Sequence, residues 1–144
     1  MGKFTIRKQF KFEMAHQLKE AYSDCCKNTI HGHSYICEVF IESNILLDGT
    51  GMVVDFGKFK DLCGEYIDSW DHALVMPNSL PKDYLKMLLK YNKNLKIVDY
   101  NPTAEEMARD IFRTLRIICK GESMFNVAKV RLHETATGWA EYER

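Results

Sequence analysis

Two histidines stand two positions apart in the stretch CCKNTIHGHSY, at His31 and His33. Side chains at positions i and i+2 of a strand point the same way, so both imidazoles can reach one ion. His16 ends another strand-like stretch, FEMAHQL, and lies beside them if the two strands pair antiparallel. Three imidazoles with one open position are typical of a catalytic zinc ion, which binds and polarises a substrate oxygen there.

The third histidine is what favours a metal site. A bare His-x-His pair is common by chance, and surface or hydrogen-bonding histidines are the alternative interpretation. A third histidine at the end of a neighbouring strand, facing the same corner, shifts the balance towards metal binding.

Reactive side chains of two other kinds accompany the histidines. Cys25 and Cys26 lie in a polar stretch, so they do not fit the pattern of small buried hydrophobes that Cys37, Cys63 and Cys119 fit. Asp71 precedes His72, and such a pair can fix the imidazole tautomer and relay a proton for a thiol. A histidine at a helix C-terminus is the alternative, and spacing alone favours it.

An acidic residue ends one face of a late strand. Val130, Leu132 and Glu134 share that face in the stretch VRLHETATGWAEY. A carboxylate there could accept two hydrogen bonds from an amidine-like or guanidine-like ligand edge, although a solvated strand end is the commoner case. His133 lies on the opposite face with Arg131, outside the predicted site.

The periodicity of the chain predicts the elements that position these residues. Residues 4–14 and the stretch HSYICEVFIES alternate with period two, as strands do. Apolar residues at helical spacing follow Asp55, a predicted N-cap, and a second helix follows Thr103, which forms a capping box with Glu106. FNVAKVRLHE and GWAEYE predict two more strands, while PKDYLKMLLKYNKN fits a short helix or a loop. The order ββααββ predicts an α+β fold, with two helices on one face of a four-stranded antiparallel sheet.

Composition narrows the class of protein. The 144 residues are typical of one domain over 1–144, and a hydrophobic share of 46% is enough for a core. Basic and acidic residues number 20 each, so neither nucleic acid nor a membrane surface is an expected partner. Five cysteines, an odd count without a secretory segment, favour reduced thiols and a cytoplasmic location.

These motifs together resemble the 6-pyruvoyl-tetrahydropterin synthase family, which includes the bacterial 6-carboxy-tetrahydropterin synthases of queuosine biosynthesis. FEMAH and HGHSY are similar to the segments that carry the family's zinc histidines. GMVVDF, WDHALVM, NPTAEEMA and ETATGWAEY resemble four further family segments. Each motif is modest alone, but six in the right order over the chain are specific.

The resemblance implies a fold and an assembly. It implies the T-fold, built as a homohexamer of two stacked trimers whose strands close into a barrel. That closure would protect the exposed edges of the sheet. Active sites would lie between subunits, so the Asp71–His72 pair could serve a thiol of a neighbouring chain.

The resemblance also implies a chemistry, that of a zinc-dependent carbon–oxygen and carbon–carbon lyase. The substrate would be 7,8-dihydroneopterin triphosphate, with Zn²⁺ on His16, His31 and His33. A cysteine thiolate assisted by Asp71 and His72 would move protons of the substrate side chain. By analogy Glu134 anchors the amino-pyrimidinone edge of the pterin, while Thr103 and Glu105 help around the ring. In the carboxypterin branch triphosphate and acetaldehyde leave, and 6-carboxy-5,6,7,8-tetrahydropterin remains.

Spacing leaves the choice of catalytic cysteine open. Cys25 lies six positions before His31, as in the pyruvoyl branch, whereas in many carboxypterin enzymes the distance is four. Cys26 lies five before, yet CKNTIHGHSY looks like the bacterial C-K-N-x-H-G-H stretch with one residue inserted. We therefore favour Cys26 slightly and keep both.

Four functions compete on the sequence alone. The segments PTAEEMA and ETATGWAEY look bacterial and favour the carboxypterin synthase, while the Cys25 spacing favours a 6-pyruvoyl-tetrahydropterin synthase of tetrahydrobiopterin biosynthesis. A dihydroneopterin aldolase would not need three histidines. A non-catalytic metal-binding assembly module would be expected to lack the thiol, the Asp–His pair or Glu134, and this sequence has all of them.

Overall fold

One mixed sheet of six strands runs through the molecule. The computed structural model describes residues 2–144, so Met1 of the domain expected over 1–144 lies outside the described residues. The strands are β1 (Phe4–His16), β2 (His31–Ser43), β3 (Ala73–Pro77), β4 (Leu95–Val98), β5 (Asn126–His133) and β6 (Trp139–Glu143). The α-helices are α1 (Asp24–Lys27), α2 (Phe56–Asp68), α3 (Lys82–Tyr91) and α4 (Ala104–Ile118), and a 3₁₀ turn, Cys119–Gly121, follows α4.

The strand order in the sheet is β4-β3-β1-β2-β5-β6. The central pair, β1 and β2, is antiparallel over the full length of both strands, as the alternating patterns predict. β5 and β6 continue the antiparallel part, whereas β3 pairs parallel with β1 and β4 parallel with β3. The α+β class is thus confirmed, but the prediction of four strands is wrong, because two short parallel strands extend the sheet.

The two missed strands lack the signal that marked the other four. All five residues of β3 are buried, so the strand shows no alternation of apolar and polar side chains. β4 has only four residues. A buried strand of this length cannot be told from the end of a helix by periodicity.

Helices α2 and α4 pack on one face of the sheet through a single core. The alternating apolar side chains of β1 and β2 enter this core, among them Phe10, Phe12, Tyr35, Cys37 and Val39. Asp55 caps α2 by accepting hydrogen bonds from the N–H groups of Gly57 and Lys58. Thr103 caps α4 by accepting from the Glu106 N–H at 3.3 Å, which is one half of the predicted capping box.

Helix α3 covers the parallel part of the sheet. Its buried residues Leu85 and Leu88 pack with Leu74 and Met76 of β3 in a second, smaller cluster. The stretch PKDYLKMLLKYNKN, for which the sequence left a short helix or a loop open, therefore contains a helix. Among residues 2–144 we find no helix long and apolar enough to cross a membrane.

Candidate metal centre and active site

The histidine cluster lies where the first two strands end and begin. Antiparallel register places His16, the last residue of β1, opposite His31, the first residue of β2. His33 follows two positions later on the same face of β2 as His31. One ring nitrogen from each of the three lies within 4.8 Å of the other two. The structure therefore brings together the three predicted metal ligands.

Backbone carbonyls fix the tautomers of two of these rings. Nδ1 of His16 donates to the carbonyl oxygen of Pro102 at 2.8 Å, and Nδ1 of His31 donates to that of Thr29 at 3.0 Å. Each Nε2 then carries a lone pair, and the two Nε2 atoms lie 3.0 Å apart. Two lone pairs at that distance repel unless a cation lies between them.

The third ring has an unpartnered nitrogen. Nε2 of His33 is buried and has no hydrogen-bond partner among the described residues. Leaving a buried polar atom without a partner costs about 1–3 kcal/mol, so such an atom in a native site requires an explanation. A metal ion bound by this nitrogen would remove the penalty.

Burial favours the neutral form of two of these imidazoles, those of His16 and His33. His16 is fully buried, and desolvation lowers its pKa to about 4, despite the opposing effect of the Pro102 hydrogen bond. Desolvation also lowers the pKa of His33. Neutral imidazoles are the form that binds a metal ion. The donor set, three nitrogens without a thiolate, would suit a divalent metal ion such as zinc with one position left free.

Glu134 reaches the same cluster from the end of β5. Its Oε1 lies 3.7 Å from Nε2 of His16 and 3.8 Å from Nε2 of His33. The buried hydroxyl of Tyr35 donates to this oxygen at 3.3 Å. Burial and the nearby carboxylate raise the pKa of Tyr35 well above its ordinary value, so its hydroxyl keeps its proton. Glu134 thus has a buried donor that orients it.

Two cavities open beside the cluster. One, of about 300 Å³, is lined by Glu134 together with Thr103 and Glu105. These are the three side chains expected around a bound ring. The other, of about 380 Å³, is lined by His33 and His72 among others. Gly32 also lines this cavity. A Cβ at this position would lie 3.2 Å from the Met14 carbonyl oxygen, so glycine allows β1 and β2 to pair closely here.

The Asp71–His72 pair is formed and held by β1. Nδ1 of His72 donates to Oδ2 of Asp71 at 2.8 Å. The Glu13 N–H donates to Oδ1 of Asp71 at 2.8 Å, and the Glu13 carbonyl accepts from the His72 N–H. The Glu13 hydrogen bond, followed by that of His72, lowers the pKa of Asp71. His72 has a φ of 57°, in the left-handed region, and its side chain is 82% exposed. The pair is therefore a structured turn, with an imidazole open to a ligand.

Cys25 and Cys26 both lie in the short helix α1, and neither takes part in the hydrogen bonds of the Asp71–His72 pair. Cys25 is exposed and Cys26 is half-buried. A hydrogen bond with the Ser23 hydroxyl, at 3.3 Å from Cys25 Sγ, lowers the pKa of the Cys25 thiol, and Cys26 adds to the effect. No hydrogen bond within residues 2–144 joins either thiol to Asp71 or His72.

Comparison with known proteins identifies the family. The sequence model of the family described as 6-pyruvoyl tetrahydropterin synthase matches residues 5–144. The chain belongs to this family. Two of its curated relatives are named 6-carboxy-5,6,7,8-tetrahydropterin synthase: one from Haemophilus influenzae is 34% identical over 97% of this chain and 99% of its own length. The other, from Aquifex aeolicus, is 32% identical over 98% of both chains.

Solved structures share the fold. The 6-pyruvoyl tetrahydropterin synthase of Caenorhabditis elegans superposes with a TM-score of 0.68 over 100% of this chain and 97% of that one, at 24% identity. An uncharacterized protein from Wolinella succinogenes superposes with a TM-score of 0.84 over 100% and 99%, at 20% identity. The six-stranded arrangement described above is thus a fold of the pterin synthase family.

Sequence reasoning overlooked some residues of this candidate site. Tyr35 stands two positions after His33, so the same period-two argument that joined the histidines could have placed it beside them. The carbonyl of Pro102 could not be foreseen, since it lies 86 positions from His16 along the chain. Only the fold brings the start of α4 against the end of β1.

Proposed function

We propose that this protein is a zinc-dependent 6-carboxy-5,6,7,8-tetrahydropterin synthase. It converts 7,8-dihydroneopterin triphosphate and one water molecule to 6-carboxytetrahydropterin, acetaldehyde and triphosphate, a reaction of queuosine and 7-deazapurine biosynthesis. The observation that carries the proposal is the meeting of His16, His31 and His33 with Glu134 at the wall of a cavity. The names of relatives that match along nearly their whole length support it.

Binding is assigned to the cavity of Glu134. Its carboxylate can accept two hydrogen bonds from the amino-pyrimidinone edge of a pterin, which presents two N–H donors side by side. Tyr35 holds one carboxylate oxygen in place, and Thr103 and Glu105 line the remaining wall. An anchored ring then extends its side chain towards the histidine cluster, which lies within 4 Å of the same carboxylate.

Proton movement is assigned to a thiol and to the Asp71–His72 pair. When bound, the zinc ion acts as a Lewis acid that makes protons on the carbons next to the substrate hydroxyls more acidic. A thiolate of Cys25 or Cys26 takes such a proton, and the His72 imidazole passes protons to and from solvent. Asp71 holds Nδ1 of His72 protonated, so Nε2 is the atom free to accept.

Assembly and location form part of the proposal. We place the protein in the cytoplasm as one pterin synthase domain, where its free thiols remain reduced. It forms a homohexamer, a dimer of trimers closed into a barrel. Two features support such closure: β6 is an edge strand, and β1 pairs with β3 only from Met14 to His16, which leaves most of its second edge open.

Product analysis tests the proposed reaction. The purified, zinc-loaded protein is incubated with 7,8-dihydroneopterin triphosphate, and the products are identified by mass spectrometry. We expect 6-carboxytetrahydropterin and one acetaldehyde per turnover. Triphosphate release with the three-carbon side chain retained would instead establish a 6-pyruvoyl-tetrahydropterin synthase. No turnover by fully zinc-loaded protein would indicate a non-catalytic metal-binding module.

The pyruvoyl reaction is a second candidate because of Cys25. This cysteine has the six-residue spacing of that branch, and its thiol has the lowered pKa that a general base requires. Cys25→Ala and Cys26→Ala, assayed separately, assign the base. Full activity in both variants would contradict a thiol base, whichever product forms.

A further inference from the structure

The segment that carries the cysteines has no apolar anchor. None of residues 17–30 is buried, helix α1 has no buried residue, and Tyr22 is fully exposed. Hydrophobic packing therefore does not fix the position of either thiol. The contacts that hold this segment against the rest of the chain are mainly hydrogen bonds.

Asn101 makes two of these contacts from a distant part of the chain. Its Oδ1 accepts from the Lys19 N–H at 2.8 Å, and its Nδ2 donates to the Glu20 carbonyl at 2.9 Å. Both bonds have good length, and one side-chain amide satisfies a donor and an acceptor of the backbone. Asn101 thus ties the segment to the start of α4, more than 80 positions away.

The two residues after Asn101 contact the rest of the site. The Pro102 carbonyl accepts from Nδ1 of His16, and Thr103 caps α4 and lines the cavity of Glu134. The Thr103 N–H donates to the Asn101 carbonyl at 2.7 Å, which closes this turn on itself. Three consecutive residues therefore contact the cysteine segment, the histidine cluster and the proposed pterin cavity.

A second tie holds the other end of the segment. Nε2 of Gln17 donates to the Lys27 carbonyl at 3.1 Å, and its Oε1 accepts from the Tyr84 hydroxyl at 2.8 Å. The Leu18 N–H also donates to the Cys26 carbonyl at 3.1 Å. The bonds to Lys27 and Cys26 fold the segment back on itself and the Tyr84 bond joins it to α3, whereas the Asn101 bonds connect it to the turn that holds His16.

We propose that Asn101 is a positioning residue that fixes the Cys25–Cys26 segment relative to the histidine cluster. The inference rests on the proposed function, in which one of these thiols moves a proton. Because Asn101 itself touches neither thiol nor pterin, its loss should lower kcat and leave both zinc binding and KM nearly unchanged. A misplacement of about 1 Å can cost up to a hundredfold in rate.

Asn101→Ala tests the proposal with two independent measurements. Hydrogen exchange, followed by mass spectrometry on the zinc-loaded protein without substrate, should be at least about fivefold faster for the amides of residues 19–28 and unchanged in β1 and β2. With dihydroneopterin triphosphate, kcat should fall about tenfold to a hundredfold. Asn101→Asp keeps an acceptor for the Lys19 N–H and should retain part of kcat, whether or not the alanine variant folds. Asn44→Ala, at an exposed asparagine, is the control and should match the wild type.

The outcomes separate this proposal from the proposed function. Unchanged exchange in Asn101→Ala overturns the tie, whatever the turnover. Faster exchange with unchanged kcat overturns the positioning role. The zinc content or the unfolding midpoint of Asn101→Ala could also fall enough to account for the lost kcat. Asn101 would then have a merely structural role, which also contradicts the positioning role. If the wild type turns over no pterin, the proposed function fails, and the exchange result still decides the tie.

Discussion

The unpartnered Nε2 of His33 is the atom that most directly reports on metal binding. Replacing His33 by Ala removes one of three nitrogen ligands, and the two that remain bind zinc weakly. We expect zinc to fall from one ion per chain to less than about a tenth after dialysis, since loss of a ligand lowers affinity by more than the 10–100-fold typical of a lost outer contact. Elemental analysis of the dialysed protein measures this.

His133→Ala is the matched control for that experiment. Nε2 of His133 donates to Oε2 of Glu38 at 2.8 Å, on the opposite face of the sheet from the cluster. His133→Ala removes an imidazole at the end of β5 and leaves the three proposed ligands in place. Equal zinc content in the His33 and His133 variants would refute the metal centre.

Tyr35 offers a test of how Glu134 is held. Tyr35→Phe keeps the ring, which stacks on Phe12 with 5.3 Å between centroids, and removes only the hydroxyl that donates to Glu134. One hydrogen bond contributes about 1 kcal/mol, so KM for the pterin should rise about fivefold while zinc content stays constant. Steady-state kinetics measure the change. An unaltered KM would show that the carboxylate needs no such donor.

Among single residues, the sequence predicted side chains better than backbone partners. Period two placed His31 and His33 on one face, and the antiparallel pairing then set His16 opposite His31. The backbone carbonyl of Pro102 fixes the tautomer of His16. Every residue type carries such a carbonyl, so the sequence does not mark Pro102 as the partner. Contacts of this kind depend on how two distant elements pack, which local patterns do not encode.

At the scale of an element, the caps predicted from the sequence make their hydrogen bonds. Asp55 accepts from the Gly57 N–H at 2.7 Å and from the Lys58 N–H at 3.4 Å. Asp55→Ala should lower the free energy of unfolding by about 1 kcal/mol, because it leaves two N–H groups at the start of α2 without this acceptor. Urea denaturation measures the loss. Asp61→Ala, exposed within the same helix, is the control and should not destabilise.

The parallel strands show where element prediction ends. β1, β2, β5 and β6 each have one buried face, and alternation revealed them. β3 is buried on both faces, because Ala73 and Val75 pack in the main core while Leu74 and Met76 pack against α3, so its sequence ALVMP carries no period. Its existence follows only from the pairing of Met14–His16 with Ala73–Val75, a contact between segments far apart in the chain.

For the whole molecule, burial of the histidines predicts a pH dependence of stability. Because the pKa of His16 is lowered to about 4 in the folded state, the unfolded chain takes up a proton there first as pH falls below 6.5. Protonation thus favours unfolding, and the metal-free protein should lose about 2 kcal/mol between pH 7 and pH 5 from this residue. The pKa of His33 is lowered too and acts in the same direction.

Urea denaturation of chelator-treated protein at the two pH values measures this loss. Three carboxyl groups have a lowered pKa, namely Asp71, Glu38 and Glu141. Their contribution to stability is lost only near and below their ordinary pKa values of 3.8 and 4.5, so the interval from pH 7 to pH 5 reports mainly on the histidines. Equal stability at pH 7 and pH 5 would contradict the lowered pKa values of His16 and His33.

The proposed assembly makes the strongest prediction about how the site is shared. If each active site combines the thiol of one subunit with the Asp71–His72 pair of its neighbour, two inactive variants can complement each other. A Cys25→Ala/Cys26→Ala double variant and a His72→Ala variant should each lack activity alone. Unfolded together and refolded as mixed oligomers, they should regain up to about a quarter of wild-type activity, since random mixing joins an intact thiol to an intact pair at one site in four.

Mixing without refolding is the control and should stay inactive. Persistent inactivity of refolded mixtures whose mass matches the wild-type oligomer would place thiol and Asp–His pair within one chain, and the pair would then have to reach a cysteine that no hydrogen bond of residues 2–144 joins to it.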